Sequence, residues 1–167
     1  MARGLRFLLA LMVVALAGLG VAWLMGALSR GGAGEGQAPE VVQELFAVPV
    51  RSSRQLETDA FNRLLEAARD AGEPWVENPL WISLAFLEDL EGQTVGIVRA
   101  DKATEAPTSS TVTVIRDQLA DDSVRAIWNE FHLTRDEAGA WTLAEAREAY
   151  RCRRGGQTDH FAADRCP

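Results

Sequence analysis

The sequence predicts an α+β protein, in which an N-terminal transmembrane helix precedes one small domain. In that domain, one or two helices pack on an antiparallel sheet of three, four or more strands. Three observations predict this: an uncharged apolar run, then apolar residues at helical spacing, then a second half rich in Val, Ile and Thr. With 17 basic against 24 acidic side chains, the chain lacks the basic surface that nucleic-acid binding requires.

The apolar run covers residues 7–28 and contains no charged side chain. As a helix it would be about 33 Å long, enough to cross the hydrocarbon core of a bilayer. A cleaved signal peptide is the alternative, but its apolar region usually has only about 7–15 residues before an Ala-x-Ala-like site. Residues 25–27 place a methionine at such a site, and the better-fitting residues 32–34 lie beyond Arg30. We therefore expect an uncleaved anchor.

Charges at the two ends of this run predict its orientation. Arg3 and Arg6 precede it, whereas only Arg30 follows closely, so the N-terminus is expected in the cytoplasm of a bacterium and the domain in the periplasm. The lipid bilayer of the inner membrane is then the first partner. The predicted organisation is a cytoplasmic stub and single-pass anchor over residues 1–28, a flexible glycine-rich linker over 29–40, and a periplasmic α+β domain over 41–167.

The first predicted element of the domain is a helix over residues 53–71. A capping box that starts at Ser52 begins it, and Gly72 ends it. Its apolar stripe is formed by Leu56, Ala60, Leu64, Ala68 and Ala71, with Phe61 and Leu65 beside it. Leu64 lies in the middle of the stripe and is expected in the core, whereas Glu66 lies off the stripe and is expected at the surface.

Beyond residue 72 the sequence predicts one more helix and four strands, and two of these five segments have an alternative assignment. A second helix is predicted over 79–91, from the pair Asn78-Pro79 to Gly92, with a buried strand as the alternative. Strands are predicted over 94–100, 111–119, 124–134 and 141–150, separated by a loop over 101–110 and turns at 121–123 and 136–139. The last strand has a helical alternative, because residues 142–145 have capping-box spacing.

Four short motifs follow one another in the C-terminal part of the chain: LADDSV at 119–124, Trp141-x-Leu143, Cys152-x-x-Gly155 and Cys166. They resemble the ends of uncharacterised bacterial envelope proteins that are similar to cystatin-like or NTF2-like domains. The resemblance implies helices packed into a curved antiparallel sheet. It implies no catalytic residues, because such domains serve as enzymes, binders and structural modules alike.

Cysteines and histidines restrict the possible chemistry. Cys152 and Cys166, the only cysteines, lie in the part expected outside the cytoplasm, where such a pair normally forms a disulfide. His132 and His160 lack the spacing of a zinc site, and neither a metal nor another cofactor is expected. Residues 121–123 have the composition of a turn, with no nucleophile and base in recognisable spacing.

A candidate ligand pocket is formed by Trp128, Glu130 and His132, which share one face of a predicted strand and include a possible general base. The alternative for these three residues is a half-exposed sheet face. A second candidate site is the basic cluster Arg151, Arg153 and Arg154, which could contact an acidic partner or anionic headgroups. A solvated turn is the alternative for the cluster.

The predicted function is non-enzymatic: a membrane-anchored envelope domain that binds an envelope protein partner or supports a membrane-associated assembly. No catalytic residue is assigned. The alternative is a small-ligand binder or hydrolase-like enzyme with its pocket on the concave sheet face. A pocket that contains the histidine would favour this alternative, whereas a filled sheet face would favour partner binding.

Overall fold

The computed structural model of the protein describes residues 40–88, 93–102 and 106–167. The predicted anchor over 7–28 lies outside these ranges, as does the predicted linker except for its last residue. Within the described ranges, no helix has both the length and the apolar character needed to span a membrane.

An antiparallel sheet of five strands organises the described residues. The strands are β1 (Arg54–Leu56), β2 (Gln93–Asp101), β3 (Ser109–Asp117), β4 (Val124–Arg135) and β5 (Trp141–Cys152). They lie side by side in the order β1-β5-β4-β3-β2, so β2 to β5 form a meander and β1 pairs with the free side of β5. Together with the helices, this sheet confirms the predicted α+β class.

The four predicted strands are confirmed, with ends shifted by at most two residues. The helical alternative for residues 141–150 is excluded, because they form most of β5. This strand pairs with β4 along its length and with β1 at Ala146, Arg147 and Glu148, so this part of its backbone is paired on both sides. That pairing outweighs the high helix propensity of the segment.

The helical segments are α1 (Glu40–Phe46), α2 (Asp59–Asp70), a 3-10 helix (Pro74–Glu77) and α3 (Pro79–Phe86). Asn78 caps α3, because its side-chain oxygen accepts the N–H of Leu80 at 3.0 Å. The predicted second helix is thus confirmed in type and start, but it ends at Phe86 rather than before Gly92. Glu88 adopts a left-handed conformation with φ of 52°, which the helix cannot continue.

The helix predicted over 53–71 is wrong in its first turns. Arg54–Leu56 form β1, which pairs with β5, and α2 begins only at Asp59. Ser52 caps no helix, because its hydroxyl oxygen accepts the N–H of Ala163 at 3.0 Å instead. Pairing with a distant strand outweighs the local capping signal here.

The later start also changes which side of α2 faces the core. Leu65 is 1% exposed and Phe61 packs beside it, whereas Leu64 is 55% exposed. The prediction that Leu64 lies in the core is therefore wrong. The predicted apolar stripe includes Leu56 as its first residue, but Leu56 lies in β1 rather than in the helix. Glu66 is exposed, as predicted.

The two faces of the sheet carry separate cores. On one of them, the helical face, residues of α2, α3 and the 3-10 helix pack on the buried side chains Val112, Val114, Phe131, Leu133, Trp141, Leu143 and Ala146. On the opposite face, Leu45 of α1 and Phe161 of the C-terminal tail pack on Ile115, Ala126 and Ala149. The sheet is therefore covered by helices on one face and by the two ends of the domain on the other.

Candidate ligand-binding pocket

Three rows of side chains cross the helical face, one at every second register position. The rows are Val112, Phe131 and Ala146; then Val114, Asn129 and Glu148; then Arg116, Ile127 and Tyr150. The first row lies in the core beneath the helices, and we call it the covered end. We call Asn129, Glu148, Arg116, Ile127 and Tyr150 the open end.

A pocket of about 880 Å³ opens over the open end. Its walls are formed by five sheet residues, by the segment 119–124 and by the end of the chain. The lining side chains from these parts include Arg54, Arg116, Ile127, Glu148, Tyr150, Arg165 and Cys166. None of the lining residues belongs to a helix, so the pocket lies where the helical layer stops. Its volume falls in the range of small-molecule sites.

A hydrogen-bonded network joins Arg54, Glu148 and Tyr150 in this pocket. Arg54 donates from Nε to Oε1 of Glu148 at 3.0 Å and from Nη2 to the same oxygen at 2.5 Å. The hydroxyl of Tyr150 donates to Oε1 of Glu148 and accepts from Nη2 of Arg54 at 2.8 Å. The pairing of β1 with β5 brings these side chains together, because Arg54 and Glu148 are opposite each other in the register.

The protonation states follow from these contacts. Burial alone would raise the pKa of Glu148, but the hydrogen bonds from Tyr150 and Arg54 outweigh it and hold the pKa below the usual value of a glutamate. Burial and the neighbouring carboxylate raise the pKa of Tyr150, and the hydrogen bond to Glu148 raises the pKa of Arg54. At neutral pH Glu148 is ionised, Tyr150 keeps its proton, and the charges of Arg54 and Glu148 balance.

Asn129 and Arg116 form the back of the open end. Asn129 is fully buried, and its Oδ1 accepts a hydrogen bond from Nη2 of Arg116 at 3.2 Å. Its Nδ2 is near enough to the Glu148 carboxylate to help lower that pKa, without reaching hydrogen-bond geometry to it. Asn129 therefore positions Arg116 and directs its amide dipole toward the Glu148 carboxylate.

The C-terminal tail forms the rim of the pocket. The predicted disulfide between Cys152 and Cys166 is confirmed. Ala162 continues the edge of β5 beyond β1, exchanging backbone hydrogen bonds of 2.8 and 3.0 Å with Tyr150. These two attachments hold Arg165, whose guanidinium carbon lies 5.8 Å from the centre of the Tyr150 ring. The disulfide thus holds the backbone next to Arg165 at the rim of the pocket, and the Arg165 side chain itself is exposed.

The turn at 121–123 forms another wall. Oδ1 of Asp121 accepts the N–H of Ser123 at 2.7 Å, its hydroxyl at 2.9 Å and the N–H of Val124 at 2.8 Å. Arg153 donates to the carbonyl oxygens of Asp121 and Leu119 at 3.0 and 2.8 Å. The prediction of a turn is confirmed. The serine hydroxyl donates to the Asp121 carboxylate, and the hydrogen bonds from Val124 and Ser123 lower the pKa of that carboxylate, which makes it a weak base for activating a nucleophile.

The residues predicted as a pocket lie elsewhere. Trp128, Glu130 and His132 are on the opposite face of the sheet, and none of them lines the pocket. Nε2 of His132 lies 3.0 Å from Oε1 of Glu130, and its Nδ1 lies 3.1 Å from the hydroxyl of Thr111. Trp128 packs against the smaller core.

The basic cluster divides into two kinds of residue. Arg151 donates to the carbonyl oxygen of Thr158 at 2.7 Å, and Arg153 holds the turn described above. Arg154 is exposed. Partner contact by this cluster stays a prediction, and it rests mainly on Arg154.

The principal pocket residues Arg54, Arg116, Glu148, Tyr150 and Arg165 carry no predicted role. One signal could have identified two of them. Arg116 and Glu148 occupy strand positions with the same parity as the buried Val112, Val114 and Ala146, where a charged side chain is unexpected. Charged residues at strand positions that otherwise face the core indicate a place where the core ends.

In the described ranges, no three histidine, cysteine, aspartate or glutamate side chains come together as a metal site would require. Comparisons of the chain with protein-family models, with curated proteins and with solved structures found no match.

Proposed function

We propose that this protein is a non-enzymatic binder of a small molecule, tethered to the membrane in the bacterial envelope, and that the pocket over the open end is its binding site. The observation that carries the proposal is the pocket itself: about 880 Å³, with the Arg54–Glu148–Tyr150 network on one side and apolar Leu119 and Ile127 in its lining. Ligand sites typically combine such apolar walls with a few fixed polar groups.

Binding is favoured over catalysis by the chemistry of the lining residues. They include no histidine, and the hydroxyl of Ser123 is bound to Asp121. The Glu148 carboxylate is held ionised by Arg54 and Tyr150, so it is a weak base rather than a proton donor at neutral pH. These groups suit recognition better than proton transfer.

The location and the finer fold belong to the same proposal. The apolar run over 7–28 supports an uncleaved anchor, and the disulfide between Cys152 and Cys166 supports an oxidising compartment such as the periplasm. Helices packed on one face of an antiparallel sheet, with a pocket beside them, support a cystatin-like or NTF2-like domain. Protein from the membrane fraction is expected to begin at Met1 or Ala2. Periplasmic protein that begins near Glu35 would contradict the anchor.

The test of ligand binding is native mass spectrometry of the full chain purified from membranes in lipid discs. We expect a bound small molecule on the wild-type chain and its loss in Ile127→Trp, which fills the pocket. Ile97→Trp is the matched control, because Ile97 is exposed and does not line the pocket. Equal occupancy in both variants would exclude this pocket as the site.

A protein partner is the second candidate function, favoured by one observation. β2 is an edge strand, and Ile97 and Val98 on it are 39% and 46% exposed. Such an edge can accept a strand of another chain. A photo-crosslinking residue at position 98 is expected to capture one partner in living cells, with position 66 as the exposed control. Equal capture at both positions would contradict strand addition at β2.

A further inference from the structure

We infer that the ligand of this pocket is an anionic amphiphile, with an apolar chain that ends in a carboxylate or a phosphate monoester. The inference rests on the proposed function, because it names the chemical class that the same pocket would take. Three features carry it: the charge of the lining, the position of Arg165 and the apolar wall.

The lining is positive in a protein that is negative as a whole. Three guanidinium groups, of Arg54, Arg116 and Arg165, face two carboxylates, of Asp121 and Glu148. Both carboxylates are engaged, Glu148 by Arg54 and Asp121 by three hydrogen bonds from its own turn. The full chain has a net charge of −7, so a positive pocket stands out electrostatically and attracts anions.

Arg165 is the cation best placed to hold the anionic group. None of the ion pairs in the described part of the chain includes it. It interacts with both the ring and the hydroxyl of Tyr150, which engages part of the guanidinium and leaves its other N–H groups able to donate. It is adjacent to Cys166, whose disulfide fixes the backbone at the rim. The Arg165 side chain is exposed at this rim, and a guanidinium can bind a carboxylate or phosphate through two parallel hydrogen bonds.

The apolar part of the ligand has its own wall. Leu119, Val124 and Ile127 line the pocket together with the polar groups. An ion without an apolar chain would leave these three side chains in water, whereas an amphiphile buries them and gains hydrophobic stabilisation.

The experiment measures binding of four six-carbon probes to the full chain in lipid discs by saturation-transfer NMR, with empty discs subtracted. The probes are hexanoate, hexyl phosphate, hexanamide and hexylammonium. We expect both anions to bind about tenfold more tightly than the amide, which is typical of a charge-assisted hydrogen bond. The two anions report which headgroup is preferred.

Arg165→Gln is expected to abolish that tenfold preference, and Arg165→Lys to retain part of it. Arg154→Gln removes the same charge from an exposed residue of the same tail outside the pocket lining, and should leave the preference unchanged. Binding of hexanamide or hexylammonium as tightly as the anions would overturn the inference while ligand binding stands. A preference that Arg165→Gln leaves intact would also overturn it. Failure of all four probes to bind would also overturn the inference, whereas the proposed function is decided separately by the native mass spectra of the wild-type chain and Ile127→Trp.

Discussion

The covered end and the open end lie on the same face of the same three strands, yet their side chains differ completely. At the covered end Val112, Phe131 and Ala146 are fully buried and apolar. Four register positions along the same strands, β3 and β5 carry Arg116 and Tyr150 on the two sides of Ile127. The three strands keep one continuous antiparallel register through both ends, so what lies above the sheet accounts for the difference.

This contrast separates stability from function within one sheet. Apolar burial stabilises the covered end, where α2 and α3 exclude water. At the open end, Glu148 and Arg54 lose contact with water when the chain folds. Their mutual hydrogen bonds and ion pair offset most of that cost in free energy, so their net contribution to stability is small. Because stability does not account for these polar groups, they are expected to serve the pocket.

Phe131→Ala should produce the largest loss of stability. Phe131 is 0% exposed and packs edge to face on Phe86 of α3, with ring centres 5.6 Å apart. The change should lower the free energy of unfolding by about 3–5 kcal/mol through lost burial and the remaining cavity. Ile127→Ala, at the half-buried open end, should cost less than about 2 kcal/mol. Urea unfolding measures both, and equal losses would mean that the two ends do not differ as described.

Leu65→Ala compared with Leu64→Ala tests which side of α2 packs on the covered end. Leu65 is buried in the main core, so its truncation should lower the free energy of unfolding by about 2–5 kcal/mol. Leu64 is 55% exposed, and its truncation should change stability by about 0.5 kcal/mol or less. The same urea experiment measures the pair. A larger loss of stability in Leu64→Ala would mean that the side of α2 with Leu64 packs on the sheet, as the sequence pattern predicts.

The strands were predictable because their signals are local. Val, Ile and Thr content and the turn at 121–123 place β2 to β5 within two residues of their observed ends. β1 could not be predicted in this way, since it has three residues and exists only by pairing with β5, more than 90 positions along the chain. The error at Leu64 has the same origin, because the predicted helical stripe includes Leu56, which lies in β1.

The pocket was not predictable as a whole, although its parts carry a signal. Arg116 and Glu148 have the parity of core residues, but parity alone does not tell where α2 and α3 end above the sheet. That depends on tertiary packing and on the end of α3 at Phe86. The ligand site predicted at Glu130 and His132 lies on the opposite face of the sheet from this pocket and stays a prediction, since a polar strand face that includes a base does not by itself indicate which face carries a pocket.

Cys152→Ser should have an intermediate effect and act on the open end. The disulfide closes a loop with a sequence separation of 14, and its loss should lower the free energy of unfolding by about 2–4 kcal/mol. It should also release Arg165 from the rim, whereas the covered end should retain its amide protection. Urea unfolding measures the first effect and hydrogen exchange the second. Thiol labelling of the denatured, unreduced chain that found two free cysteines would contradict the bond itself.

Glu148→Gln should change stability only slightly, and the change should depend on pH. The pKa of Glu148 is lowered in the folded protein, so its ionised form stabilises the fold above the pKa of an unfolded glutamate, about 4.3. That contribution should disappear as the pH falls from about 5 through the lowered folded value, because the unfolded chain binds the proton first. Arg54 is 41% exposed in its side chain, and solvent screens the pair, so the contribution should not exceed about 1 kcal/mol.

Urea unfolding at several pH values should therefore show a shallower acid dependence in Glu148→Gln than in wild type, while the exposed control Glu66→Gln follows wild type. An acid dependence unchanged in Glu148→Gln would mean that the open end does not hold this carboxylate ionised, and the charge balance inferred for the pocket would be wrong.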